Sequence, residues 1–248
     1  HTDRPPVPKG LDWNLWLGPA VDRPFHPHYT HTVYRGWYEF GGGSMADMGN
    51  YSLWPVFTGL ELDPPLSAEA YATHTCDIVD NVSRTLKNDW AYPHACTLRF
   101  KFPAKGDRPA VDLFWYDGGM KPRLPDEVES QGVNMEREGI LFVGDRGSIM
   151  ASFHGRNPRL FSHGKAEPLE LPADDGDQPG NPWLAAMKGE ASPGSFLNAG
   201  PITDTLNLGT VALRAQQKVL FDSPNMKIIN SAPANKLLYR EYRQGWQL

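Results

Sequence analysis

The chain has 248 residues, a formal net charge of -5 and 40% hydrophobic residues. That length suits one large domain or two modest ones with a real core, and the mild acidity, without a basic stripe, argues against a nucleic-acid partner. No apolar run approaches the length needed to span a bilayer.

The chain opens on His1, with neither a charged leader nor an apolar signal core behind it. It therefore reads as a processed product or a fragment whose targeting signal is out of view, and both a cytoplasmic and a periplasmic location stay open. Residues 1–34 carry Pro5, Pro6, Pro8, Pro19, Pro24 and Pro27 around a short helical stretch, Leu11–Leu17. They read as an extended arm that packs its tryptophans on something else, with the main domain over 35–248. His26, His28 and His31 have no acid or Cys at ligand spacing, so the pattern is incidental and no metal is expected. Cys76 and Cys96 have no C-x-x-C spacing. They could form one disulfide, although two buried free thiols are the commoner outcome.

The next segment, Arg35-Gly-Trp-Tyr-Glu-Phe-Gly-Gly-Gly-Ser-Met-Ala-Asp-Met-Gly-Asn-Tyr-Ser-Leu-Trp54, is the most informative. Gly41, Gly42 and Gly43 let another molecule approach the main chain closely. Ser44 with Asp47 fits a capping box and predicts a helix from Ser44 that kinks or ends near Pro55. In it Asp47, Asn50, Tyr51 and Trp54 share one face. The alternative makes Asp47 a cap residue and Tyr51 core filling.

From Leu66 to about Ser162 the pattern turns to strands: 67–78, 94–102, 110–116, 139–143, 148–153 and 159–162. His94–Phe102 alternates Cys96, Leu98, Phe100 and Phe102 against Thr97, Arg99 and Lys101, the pattern of a strand with one buried face in an antiparallel sheet. Gly144-Asp-Arg-Gly147 is a hairpin turn. Trp115-Tyr-Asp-Gly-Gly119 ends a strand and presents two aromatics and an acid at its tip. After an acidic loop (Asp174, Asp175, Asp177, Pro179, Gly180), helices are predicted over 182–188 and 201–217, the second with Pro201 near its start. The whole is α+β: a large, mostly antiparallel, open-faced sheet with helices packed on one side.

Gly41-Gly-Gly-Ser-Met-Ala46 formally satisfies a dinucleotide fingerprint, with Glu61 or Asp63 about 20 residues on. Its context fails, because the preceding 34–40 is aromatic and polar and no βαβ alternation follows. No G-x-S-x-G occurs for Ser-His-Asp chemistry.

Several segments in order resemble the C-terminal domain of the Gfo/Idh/MocA oxidoreductases, the glucose-fructose oxidoreductase and inositol dehydrogenase family. The resemblance rests on Leu11–Ala20, Arg35-Gly-Trp37, Gly41–Gly49, Gly139–Gly147, Leu208–Arg214 and Tyr242–Trp246. It implies that an N-terminal Rossmann domain, absent here, holds NAD or NADP and carries the family's lysine. This chain alone would then bind no cofactor and be inactive. Of the family's Asp-x-Gly-x-His motif, Asp47 and Gly49 match while Tyr51 stands at the His position. A His titrates near neutral pH, whereas a Tyr near 10 exchanges protons there only when strongly perturbed.

The resemblance thus implies the substrate-binding and dimerisation part of an NAD(P)-dependent oxidoreductase acting on a sugar or polyol. Asp47 and Tyr51 are the expected catalytic residues. Asn50, Trp37, Tyr116 and Asp117 are expected substrate contacts, and Arg35, Gly41, Gly42 and Gly43 would approach the nicotinamide. Expected partners are a sugar-like small molecule, the Rossmann domain and a second copy of the chain. Two rivals stand beside it: a lyase or hydrolase acting on an oxidised glycoside, and a non-catalytic carbohydrate-binding or scaffold domain.

Overall fold

The alternating strand patterns and the loop-to-helix segment assemble into two units. A computed structural model describes residues 3–162, 165–169, 181–192 and 194–247; the acidic loop at 174–180 lies outside them. The first unit comprises residues 1–48, 65–120 and 205–248, and the second residues 49–64 and 121–204.

In the first unit, α1 (Trp13–Leu17) is capped by Asp12, whose side chain accepts the Leu15 N–H. Two 3-10 stretches (Pro27–Tyr29, His31–Gly36) lead to α2 (Gly43–Leu60). Five antiparallel strands follow in the order β11-β10-β1-β4-β5: β1 (Ser67–Ala72), β4 (Cys96–Phe102), β5 (Val111–Tyr116), β10 (Val219–Asp222) and β11 (Lys227–Ile228). In register, Phe100 faces Ala68 and Leu113, and Leu98 faces Ala70 and Trp115. Leu98, Phe100, Phe102 and Leu113 are buried on this side, where Gly209 of α5 (Phe196–Ala215) meets Leu98, Phe100 and Met45. The opposite side carries Glu69, Tyr71, Arg99, Lys101, Asp112, Phe114 and Tyr116, with Tyr71 and Phe114 exposed. Helices therefore cover one face and leave the other open, as an α+β fold of this kind requires. A short α6 (Ala232–Lys236) precedes the tail.

The second unit holds α3 (Asp126–Glu129), α4 (Pro182–Met187) and a separate antiparallel sheet. That sheet runs in order through β6 (Gly139–Gly144), β7 (Gly147–Ser152), β8 (Arg159–Ser162) and β9 (Lys165–Pro168). Val128, Met150 and Phe161 form its core cluster, with Leu124, Val133, Met135, Leu141 and Ala166 packed around them. Asp145 and Arg146 make the two-residue turn expected between β6 and β7, with Gly147 at φ 143°.

Several expectations change. Among the described residues the antiparallel strands fall into three sheets, because the segment read as one strand over 67–78 leaves the sheet at Thr73, whose N–H and hydroxyl both donate to the Ala95 carbonyl. The chain then forms a hairpin of β2 (Cys76–Val79) and β3 (Val82–Thr85), closed by Asp80 and Asn81 at φ 52° and 60°. Positive φ at both central residues is the type I′ requirement, and Asp and Asn tolerate it. Helix α2 begins one residue before Ser44 and continues through Pro55. It ends at Glu61 (φ 47°), where the Leu62 N–H donates to the Phe57 carbonyl at 3.2 Å in a Schellman closure. Helix α5 starts at Phe196, which places Pro201 inside it. Cys76 and Cys96 are both free thiols, but only Cys96 is buried. No described helix is long and apolar enough to cross a membrane.

Candidate functional site

The glycine loop is shaped by its own chain. Trp37 O accepts the N–H of both Phe40 and Gly41 at 3.0 Å, which folds the chain back on itself. A Cβ on Gly41 would lie 2.6 Å from Arg35 Cα, and one on Gly42 would lie 2.2 Å from Ala46 Cβ. Gly43 has φ +69°, and a Cβ there would lie 2.7 Å from the Tyr92 ring. The space that the three missing side chains leave is thus filled by Arg35, Ala46 and Tyr92. The result is a tight entry into α2 rather than a cradle for phosphates.

The close approach at Gly41 has a chemical consequence. Arg35, the basic residue closing the second 3-10 stretch, forms an ion pair with Asp47 in the second turn of α2. Their side chains remain 39% and 45% exposed, so both the carboxylate and the guanidinium stay open to a ligand. Of the residues expected at the site, the fold brings Arg35, Asp47 and Gly41 together.

Behind the loop stands an aromatic support that the sequence pattern did not single out. Tyr92 donates its hydroxyl to Thr210 Oγ1 at 3.3 Å, and its ring meets Tyr38 at a centroid distance of 4.5 Å. Burial pushes the Tyr92 phenol up to about 12. Burial also raises Tyr38, against which the Arg214 guanidinium lies 5.0 Å from the ring and pulls the other way. Both phenols therefore stay protonated at neutral pH.

Trp37, Tyr116 and Asp117 take their contacts elsewhere in the first unit. The Trp37 indole donates to the His28 carbonyl at 2.7 Å and its ring meets Tyr29 edge-on. Tyr116 lies on the open sheet face beside Phe114. Asp117 accepts from the Cys96 N–H at 2.9 Å and from the Trp115 indole at 3.3 Å, tying the end of β5 to the start of β4. Burial, followed by the Asp117 carboxylate, pushes the Cys96 thiol well up, so it is unreactive at neutral pH.

In the second unit, Asn50 and Tyr51 are exposed on α2. Tyr51 is 54% exposed, which rules out core filling. Its ring meets the His154 imidazole edge-on, with centroids 5.9 Å apart and planes at 88°. His154 is held in a left-handed conformation (φ 62°, ψ 17°) beside Gly155 at φ 77°. No local motif marks His154; only the fold brings it to Tyr51. Among the described residues no group of three His, Cys, Asp or Glu is placed to hold a metal ion.

The architecture is that of an α+β domain with a loop-to-helix entry and antiparallel sheets. Residues 1–112 match the family model of the oxidoreductase family's C-terminal alpha/beta domain, the Gfo/Idh/MocA type. The likeness drawn from Leu11–Ala20, Arg35–Trp37 and Gly41–Gly49 is thereby shown, and the Arg35–Asp47 pair falls inside the matched segment. No curated protein matches the chain. The described residues form no parallel-strand unit of the kind that holds a dinucleotide. Every strand pair among the described residues is antiparallel, and a Cβ on Gly41, Gly42 or Gly43 would meet the chain's own atoms.

Proposed function

We propose that this chain is the substrate-binding and dimerisation part of an NAD(P)-dependent oxidoreductase acting on the CH–OH group of a sugar or polyol. A separate nucleotide domain would hold the cofactor, with Arg35 and the glycine loop at its nicotinamide end. The observation that supports this most is the Arg35–Asp47 pair, half-exposed within the segment that matches the family model.

Asp47 would accept hydrogen bonds from substrate hydroxyls while Arg35 fixes its orientation. Four residues along α2, Tyr51 would donate from the family's His position, and Asn50 would add an amide. Trp37, Tyr116 and Asp117 remain proposed contacts, the first through the face of its indole. Tyr51 also supports a second reading, a domain that binds a carbohydrate without turning it over, because the histidine of the family's motif is not there.

Full-length protein carrying Asp47→Asn separates these readings. Loss of turnover with retained melting temperature supports the proposal. Turnover that survives the substitution overturns it. Saturable sugar binding without turnover in the unaltered protein favours the binding domain.

A further inference from the structure

The first unit holds a cleft of about 290 Å³ built from three distant segments. Helix α1 contributes Trp16 and Leu17, the segment before the glycine loop contributes Tyr34, Glu39 and Phe40, and the tail contributes Arg240. The walls are fixed in place. The Trp16 ring stacks on Trp13 at 4.7 Å and meets Phe40 edge-on at 5.0 Å, and the Trp13 indole donates to the Arg23 carbonyl at 2.8 Å. Arg243 fastens the tail to α1 by donating Nε to the Gly18 carbonyl and Nη2 to the Asn14 carbonyl, each at 2.7 Å.

The charges in this cleft are unequal. Glu39 pairs with Arg23, whose guanidinium lies 5.3 Å from the centroids of both Tyr29 and Phe40, so the carboxylate is neutralised from behind. Arg240 donates Nη2 to the main-chain carbonyl of Glu39 at 3.0 Å, a neutral acceptor. Among the described residues no carboxylate pairs with Arg240. The cleft thus presents one uncompensated guanidinium, one neutralised carboxylate and an aromatic wall.

We propose that this cleft binds a sugar acid: its carboxylate on Arg240, its hydroxyls donating to Glu39, and its C–H face against Trp16 and Phe40. The alternatives leave part of the cleft unused. A neutral sugar leaves the Arg240 charge unanswered, and an aromatic acid gives Glu39 nothing to accept. A cation meets Arg240 head-on, and a small inorganic anion makes no use of the aromatic wall. Guanidinium recognition of a carboxylate is charge-assisted and geometrically specific.

The proposal is independent of the oxidoreductase reading, because the cleft shares no residue with that site and binding is measured without turnover. The test follows the Trp16 indole N–H by NMR while D-glucuronate, D-glucose, benzoate and sulfate are each titrated into the chain. Saturable glucuronate binding at least about tenfold tighter than glucose, with benzoate and sulfate weaker still, supports the site. Arg240→Gln should reduce glucuronate to the level of glucose, and Arg240→Lys should retain part of the preference. The spectra of both variants without ligand report that the fold is kept. An unmoved Trp16 signal, equal affinity for glucose and glucuronate, an equal response to sulfate, or undiminished binding by Arg240→Gln each overturns it.

Discussion

At the scale of single residues, Asp47 has one firm partner and an open flank. An ion pair this exposed contributes at most about 1 kcal/mol to stability. Asp47→Asn should therefore leave the melting temperature within about 4 °C of the parent. If Asp47 holds substrate hydroxyls, turnover of the full-length protein should fall about 10- to 100-fold, the worth of a hydrogen bond to a charged group. A large thermal shift with intact kinetics would return Asp47 to a structural role. Gly43 makes the opposite forecast. Its φ of +69° is strained for any side chain, and a methyl group there would lie 2.7 Å from the Tyr92 ring, which is held by Thr210 and Tyr38. Gly43→Ala should destabilise by about 1–3 kcal/mol, measured by chemical denaturation. A neutral result would mean that the loop is not packed as described.

At the scale of elements, the tightest crossing is that of α5 over β4. A Cβ on Gly209 would lie 2.4 Å from Met45 Cε and 2.9 Å from both Leu98 Cδ2 and Phe100 Cζ. Met45 can swing aside, but Leu98 and Phe100 are fully buried. Gly209→Ala should cost about 1–3 kcal/mol and lower the melting temperature by several degrees, whereas Gly200→Ala, with open space around it, should not. Elements of this kind were legible where burial imprints a period. The alternation of His94–Phe102 gave both the strand and its inward face, and the Gly-Asp-Arg-Gly turn gave its hairpin. The β2–β3 ribbon was not legible, because all its residues are exposed and nothing selects one face. Nor could the pattern say that β6 to β9 form their own sheet, since it identifies strands without their partners. For the site, the sequence marked Arg35, Asp47 and the glycines. The pairing of Arg35 with Asp47, and the approach of His154 to Tyr51, depend on contacts that local spacing does not encode.

At the scale of the whole molecule, two properties follow from the way the sheets are covered. With no parallel strand pair among the described residues and a glycine loop filled by its own chain, this polypeptide alone should show no micromolar affinity for NAD or NADP in a calorimetric titration. The second property concerns the uncovered face of the five-stranded sheet. Leu98, Phe100, Phe102 and Leu113 turn inward beneath α5, so the apolar material for an interface must come from the other register. That register offers Tyr71 and Phe114, with Arg99 stacked 5.6 Å from the Phe114 centroid and bonded to Asp112 at 2.6 Å. Aromatic rings interspersed with an arginine are the composition that interface centres favour, and a two-fold axis lets one such patch cover its own copy. Light scattering should report at least a dimer. Replacing both Tyr71 and Phe114 by Glu places like charges opposite one another across such an axis and should yield monomers. A parent that is already monomeric at working concentration, or a double variant that stays dimeric, would take the interface away from this face.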